Sequence, residues 1–245
     1  MARRKNTDIE GQLCFDLNTN VQNYVVQANS LIVGKQSLSL NAAKIMRTLI
    51  MQIKPEDEEF KAYHIDIKEL AELFGILPDN LYRDIDKITT EIMRGFVEIK
   101  EPAKERFLKV SWVNKCAYEK GKGVSISINE DMRPYLLKLK EHYTQYQLDH
   151  ILRMKSVYAI RIFEMIQKEE LFKYLPKDGA YIDLKVSDIR KACDCENKLL
   201  RMNKFREKVL DVACREMTDC TTYTYTYEGI KNGRNIETIR FYITR

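Results

Sequence analysis

Tyr63-His64-Ile65-Asp66-Ile67-Lys68-Glu69-Leu70 and Tyr181-Ile182-Asp183-Leu184-Lys185-Val186-Ser187-Asp188-Ile189 limit this chain more tightly than any other feature. In each, a short strand-like run led by tyrosine passes directly into a short helix. Each also occupies the same place in a longer series of helix, strand, helix, helix and hairpin. That series occurs twice at a spacing of about 115–120 residues, although the two copies share little identity. Elements in this order make a winged helix-turn-helix, and two copies make a tandem. A chain of 245 residues suits two domains of about 100–120 residues each. The expected fold is α+β: tandem winged helix-turn-helix domains, mainly helical, with small antiparallel β-hairpin wings.

Residues 1–23 open with Arg3-Arg4-Lys5 and then turn polar and acidic. They read as a flexible N-terminal arm, either frayed or touching phosphates. Residues 24–129 are expected to form the first winged helix. Tyr24–Ile32 leads to the polar helix start Ser37-Leu38-Ser39-Leu40-Asn41 and a helix over 42–53, with Ile45, Leu49 and Ile53 on one side. A strand over 63–67 and a helix over 68–74 ending at Gly75 follow. The third helix covers 80–93 after Pro78-Asp79. Its apolar line Leu81, Ile85, Ile88, Ile92 lies opposite a stripe of Arg83, Lys87, Thr90 and Arg94. Segments 96–99, 106–113 and 124–128 supply a hairpin with Lys120 and Lys122 at a basic tip. Residues 130–145, with Pro134 near the front, are expected as a linker helix.

Residues 146–245 repeat the series. A helix within 146–167 buries Ile160, Phe163 and Ile166; a strand over 181–184 and a short helix over 187–193 follow. The third helix is Lys198–Met217, basic over its first turns, with Phe205, Val209, Val212 and Met217 near one side. Strands over 221–227 and 236–244 form the second wing around Lys231-Asn232-Gly233-Arg234, and Asn-Gly is a strong hairpin signal. The alternation of Thr and Tyr over 221–227 fits a strand with one packed face better than a base-stacking platform. Trp112 reads as a core residue.

The third helix of each half holds the recognition position of a helix-turn-helix. The second is the more basic, with Lys198, Arg201, Lys204, Arg206 and Lys208. Lys204, Arg206 and Lys208 have the charge to neutralise phosphates, and Asn203 and Arg206 are residue types that read adenine and guanine edges. In the first half, Asp84, Asp86 and Glu91 interrupt the stripe that contains Arg83 and Lys87, so its contact with DNA is expected to be weaker. Arg153-Met154-Lys155-Ser156 precedes a helix, where a hydroxyl, backbone N–H groups and the Lys155 charge can converge on a phosphate. Ser156 serves equally well as a simple N-cap, and the two roles coexist. Arg161 fits either that surface or an internal ion pair. Lys231 and Arg234 are candidate wing contacts along the backbone.

Several function classes fit poorly. No run approaches the ~18 apolar residues that would cross a bilayer. With no signal peptide, the cysteines at 14, 116, 193, 195, 214 and 220 read as reduced thiols of a cytoplasmic protein. Cys193-Asp194-Cys195 lacks the CxxC spacing of a zinc site, and no cofactor motif is present. No GxxxxGK[ST] loop exists. His64, His142 and His150 form no His-apolar-His pair of the kind nicking enzymes use, and no hydrolase triad can be assembled. A non-enzymatic protein is expected. The net charge of +5 is compatible with nucleic acid, and the clustering of the bases points there more firmly.

Six stretches resemble the iteron-binding plasmid replication initiators, theta-type proteins with two winged-helix domains. They are Asn29–Ile32 with Leu38–Asn41, Tyr135–Lys140, Leu152–Ile166, Phe205–Met217 and Gly233–Phe241, of which Leu152–Ile166 is the most characteristic. The resemblance spans about residues 24–244. It implies an initiator that binds direct repeats in double-stranded origin DNA and helps open the adjacent duplex. It also implies recruitment of host replication proteins, such as the initiator and the replicative helicase, and a monomer–dimer balance in which a dimer represses the initiator's own gene. The first domain would supply the dimer surface and the second would dominate base reading. Asn203, Lys204, Arg206 and Lys208 would then meet the major groove or phosphates. Lys155, Ser156 and Arg161 would meet the backbone, and Arg83 and Lys87 would be the first domain's contribution. A two-domain transcriptional repressor without a replication role shares the same residue chemistry. A protein-binding module fits less well with bases at helix starts and wing tips.

Overall fold

A computed structural model describes residues 13–14, 24–101, 105–169, 175–176 and 179–245. Apart from Leu13–Cys14, the expected N-terminal arm lies outside the described residues. The first half runs β1 (Leu13–Cys14), β2 (Tyr24–Ala28), α1 (Asn29–Val33), β3 (Lys35–Gln36), α2 (Leu40–Met51), β4 (Ala62–Ile65), α3 (Ile67–Phe74) and α4 (Pro78–Arg94). It continues through β5 (Phe96–Glu101), β6 (Arg106–Ser111), β7 (Val113–Glu119) and β8 (Gly123–Ile128).

Local chemistry sets these ends. Ser39 Oγ accepts from the Ala42 N–H to cap α2, and Asp66 Oδ1 accepts from the Lys68 and Glu69 N–H groups at 2.7 and 3.1 Å to cap α3. Pro78 opens α4, whose Leu81, Ile85, Ile88 and Ile92 are all buried, as their spacing implies. Helices α2, α3 and α4 with the sheet β1-β4-β8-β7 make the first winged helix, and β1 joins β4 in parallel. Gly123 opens β8 at φ +109°, where a Cβ would stand 2.3 Å from the Ile65 carbonyl oxygen, so no side chain fits.

The first hairpin differs from expectation. Segments 96–101 and 106–111 pair with each other and with β3 in a separate sheet, and the wing proper is β7–β8, with its tip at 120–122. Trp112, fully buried, sits between the two hairpins and acts as the core residue expected. The strands are too extensive for a mainly helical protein; the architecture is mixed α and β.

The expected linker helix over 130–145 also differs. A 3-10 turn at Glu130–Met132 and one helical turn, α5 (Arg133–Leu136), are followed by β9 (Tyr143–Gln147). Strand β9 pairs antiparallel with β2, from Tyr24↔Gln147 to Ala28↔Tyr143, which carries the chain back onto the first half. Pairing between segments this far apart in sequence overrides the local helical preference.

The second half runs α6 (Leu148–Leu152), α7 (Val157–Gln167), β10 (Ala180–Lys185), α8 (Val186–Ala192), a helix α9 over residues 202–220, β11 (Thr224–Asn232) and β12 (Asn235–Thr244). Its sheet order is β10-β12-β11, and α7 packs on α9. Tyr225 is buried while Thr224 and Thr226 face solvent, so the Thr/Tyr tract behaves as a strand with one packed face.

One apolar core continues through both halves. Its centre holds a buried polar cluster. Glu164 accepts from Arg47 Nε and Nη2 at 2.9 and 3.0 Å, from Gln27 Nε2 at 3.0 Å, from Tyr146 Oη at 2.5 Å and from Arg161 Nη1. Arg47 Nη2 also reaches Gln36 Oε1 at 2.9 Å. Burial raises the pKa of the Glu164 carboxyl, but the Arg47 and Arg161 guanidiniums more than offset this and hold it at about 2.

Candidate nucleic-acid interface

Helix α9 is built from three pieces: an α-turn (Met202–Phe205), a π-turn (Arg206–Leu210) and an α-helix (Asp211–Cys220). Phe205, Val209, Leu210, Ala213 and Met217 are fully buried and hold it to the domain. Val212, expected on that inner side, is only half-buried, and Leu210 and Ala213 take its place. The wider π-turn shifts the register, which a strict 3.6-residue period cannot foresee. Asn203, Lys204, Arg206, Glu207, Lys208 and Asp211 are exposed.

These exposed groups are held in defined places. Arg206 Nε donates to Tyr227 Oη at 3.3 Å, with the guanidinium carbon 5.8 Å from the Tyr227 ring centroid. Tyr227 Oη donates in turn to Asp211 Oδ1 at 2.5 Å. A residue of the wing strand β11 thus orients the arginine on the helix. Glu207 bridges Lys204 at 2.7 Å and Lys208 at 2.9 Å, and hydrogen bonds from these two lysines pull its carboxyl down to about 2. The Asn203 side-chain oxygen accepts from the Lys204 N–H at 2.9 Å.

Lys198 and Arg201 are exposed, but they precede the helix, which starts at Met202 and not at Lys198. The reason is Arg190. Its guanidinium takes the carbonyls of Cys195, Lys198, Leu199 and Leu200 at 3.3, 3.1, 3.0 and 3.4 Å, and lies 4.1 Å from the Phe205 ring centroid. The backbone bends round the Arg190 side chain, with Asp194 and Leu199 in the left-handed region at φ 48° and 52°, a conformation that a continuous right-handed helix excludes. Sequence reasoning missed Arg190; its place in the last turn of α8 is the only signal it carries there.

The wing turn closes at Gly233, φ +62°, with Lys231 and Arg234 exposed beside it. Ser156 caps α7, accepting from the Tyr158 N–H at 3.2 Å. The Lys155 and Ser156 N–H groups, expected to meet a phosphate, each donate to Glu216 Oε2 at 2.9 Å instead. The Lys155 ammonium is exposed at that corner, and the half-buried Ser156 hydroxyl keeps its own proton to donate.

Arg161 is a correction. It is 2% exposed, and its guanidinium is used by Glu164 and by the carbonyls of Ile32, Gly34 and Ala192. No phosphate reaches it; it is a strut between the two halves. In the first half, Arg83 and Lys87 are exposed on α4, Arg83 pairing with Asp84 at 3.1 Å, and Lys122 at the wing tip pairs with Glu119 at 2.7 Å. No helix among the described residues is long and apolar enough to cross a membrane.

Two family models match: residues 24–167 fit "Initiator Replication protein, WH1" and residues 185–243 fit "Initiator Rep protein, WH2". A replication initiation protein of Escherichia coli is 23% identical over 223 residues, covering 89% of this chain and 69% of that protein. The fold is similar to that of the Pi initiator protein, solved in complex with iteron DNA: TM-score 0.74, 20% identity, 92% of this chain and 99% of that one. A WH1 module followed by a WH2 module, together matched over most of the described chain, places this protein in the replication initiator family.

Proposed function

We propose that this protein initiates replication of a plasmid by binding direct repeats, the iterons, in the double-stranded DNA of its origin. One observation carries the reading. The exposed bases of α9 and of the loop before it stand at the recognition position of a winged helix, on a fold shared with an initiator solved on iteron DNA. In this reading Arg206 and Asn203 read base edges in the major groove, and Lys198, Arg201, Lys204 and Lys208 meet phosphates. Glu207 either gives up its lysines to phosphate or accepts from a cytosine amino group. Such exposed pairs are screened by water and give way easily to a phosphate. Lys231 and Arg234 lie along the backbone from the wing, and Lys155 and Ser156 add a phosphate contact at the start of α7.

The first winged helix contributes Arg83 and Lys87 at the periphery and a surface for self-association. The protein acts without catalysis, in the cytoplasm, by opening the neighbouring duplex and recruiting host initiator and replicative helicase. A dimeric form represses its own gene. Footprinting on the protein's own plasmid DNA tests this: protection repeated in phase over several direct repeats is expected. Protection confined to one inverted repeat upstream of its gene would make the protein a repressor instead.

A further inference from the structure

The loop between α8 and α9 carries a residue that the basic face does not account for. Leu200 is 70% exposed. A single exposed leucine is ordinary on a protein surface, and three further features distinguish this one. Its support is rigid: Arg190 Nη2 holds the carbonyls of Leu199 and Leu200 at 3.0 and 3.4 Å, Leu199 is fixed in the left-handed region, and the same guanidinium stacks on buried Phe205. Its neighbours are cationic, with Arg201 next to it and Lys198 and Lys204 nearby, all exposed. Its place is also closely matched. Leu77, which directly precedes the third helix of the first half and so lies one position nearer its helix than Leu200, is likewise 70% exposed, but there Pro78 and Asp79 follow it instead of bases.

We propose that Leu200 is an apolar base contact that closes on the C5 methyl group of one thymine in the major groove as α9 docks. This rests on the reading of α9 as the DNA-recognition helix. Phosphate contacts on either side bring the loop to the groove, and the apolar side chain then finds the one methyl group that the groove presents. Thymine is the only base carrying that group, so the contact selects T over C without a hydrogen bond. Arg190 acts as a positioning residue, because it keeps the leucine projected before DNA arrives.

The test replaces each thymine of one footprinted repeat, in turn, with deoxyuridine, which removes only the methyl group. Binding is titrated for wild type, Leu200→Ala and Leu200→Met. Wild type should lose about three- to fivefold in affinity at one thymine, the amount expected for one buried methyl. Leu200→Ala should weaken binding to the unmodified repeat at least as much and be indifferent to uracil at that position. Leu200→Met, which keeps an apolar reach, should retain the sensitivity. Unchanged affinity of Leu200→Ala would overturn the proposal, as would weakened binding with an unaltered uracil profile. If wild type shows no preference for the repeat over unrelated duplex, the DNA reading of α9 falls and takes this inference with it. A preference with no Leu200 effect removes the leucine alone.

Discussion

Helices α4 and α9 stand at the same point of two copies of one fold, and their outer faces differ. Helix α4 is one regular helix whose bases are interrupted by acids, and Arg83 spends its charge on the adjacent Asp84. Helix α9 carries a π-turn after its first α-turn, shows Lys204, Arg206 and Lys208 together, and has Arg206 oriented from the wing by Tyr227. The loop before α9 is knitted by Arg190 and exposes Lys198 and Arg201, with Lys198 Nζ 3.5 Å from Asp194. The apolar stripe of α4 shows that docking a third helix to its domain needs only a greasy inner side. Presenting oriented bases takes further residues from the strand behind it and the turn before it. Duplication of a fold therefore does not duplicate a surface, and the proposed reading of DNA belongs to the second copy.

The comparison presumes that both helices belong to one body, and the largest predicted effect tests that. Glu164→Gln leaves the Arg47 and Arg161 guanidiniums buried without their counter-charge, and should destabilise the protein by about 3–5 kcal/mol. Urea unfolding should show both halves lost in one weakened transition; two separate transitions in wild type would mean that the halves are independent. The Glu164 carboxyl is held at about 2 when folded, against about 4.3 in an unfolded chain. Its contribution is full above the unfolded value and is lost as pH falls from there towards 2. Between pH 5 and pH 3 wild type should therefore lose more stability than Glu164→Gln.

The next effects bear on the helices themselves. Arg206→Ala should cost about 1–3 kcal/mol in binding to the specific repeat. Lys155→Ala should weaken binding to every duplex alike and lower the salt slope by about one unit. An unchanged slope would remove Lys155 from the phosphate set and leave the corner to Glu216. Smallest of all, Lys87→Ala on α4 should change affinity by less than about 0.5 kcal/mol, because an exposed lysine at the periphery of the contact gives little. A loss as large as that of Arg206→Ala would erase the distinction between the helices.

Much of this scaffold was legible from residues alone. The stripe Leu81, Ile85, Ile88, Ile92 placed α4, and Asn232-Gly233 placed the second wing, because each signal is local. What escaped depends on distant partners. Strand β9 exists because Tyr24–Ala28 lies beside it, and Arg190 matters because the carbonyls of 195–200 turn towards it. Arg161 did carry a signal. It lies on α7 with apolar residues on both sides and Glu164 one turn on, the pattern of a helix buried all round whose charges must pair internally. Glu216 gave no such warning, since it lies far from 155–156 in sequence and meets their N–H groups only after α7 packs on α9.

The central claim, that α9 reads bases and α4 does not, is tested most directly by one matrix of titrations. Wild type, Arg206→Ala and Lys87→Ala are each measured against a single repeat in which every base pair is substituted in turn. The account predicts that Arg206→Ala loses discrimination at one base pair and keeps it elsewhere, while Lys87→Ala keeps the wild-type profile throughout. A wild-type profile for Arg206→Ala, or a base pair that loses its influence only in Lys87→Ala, would contradict it.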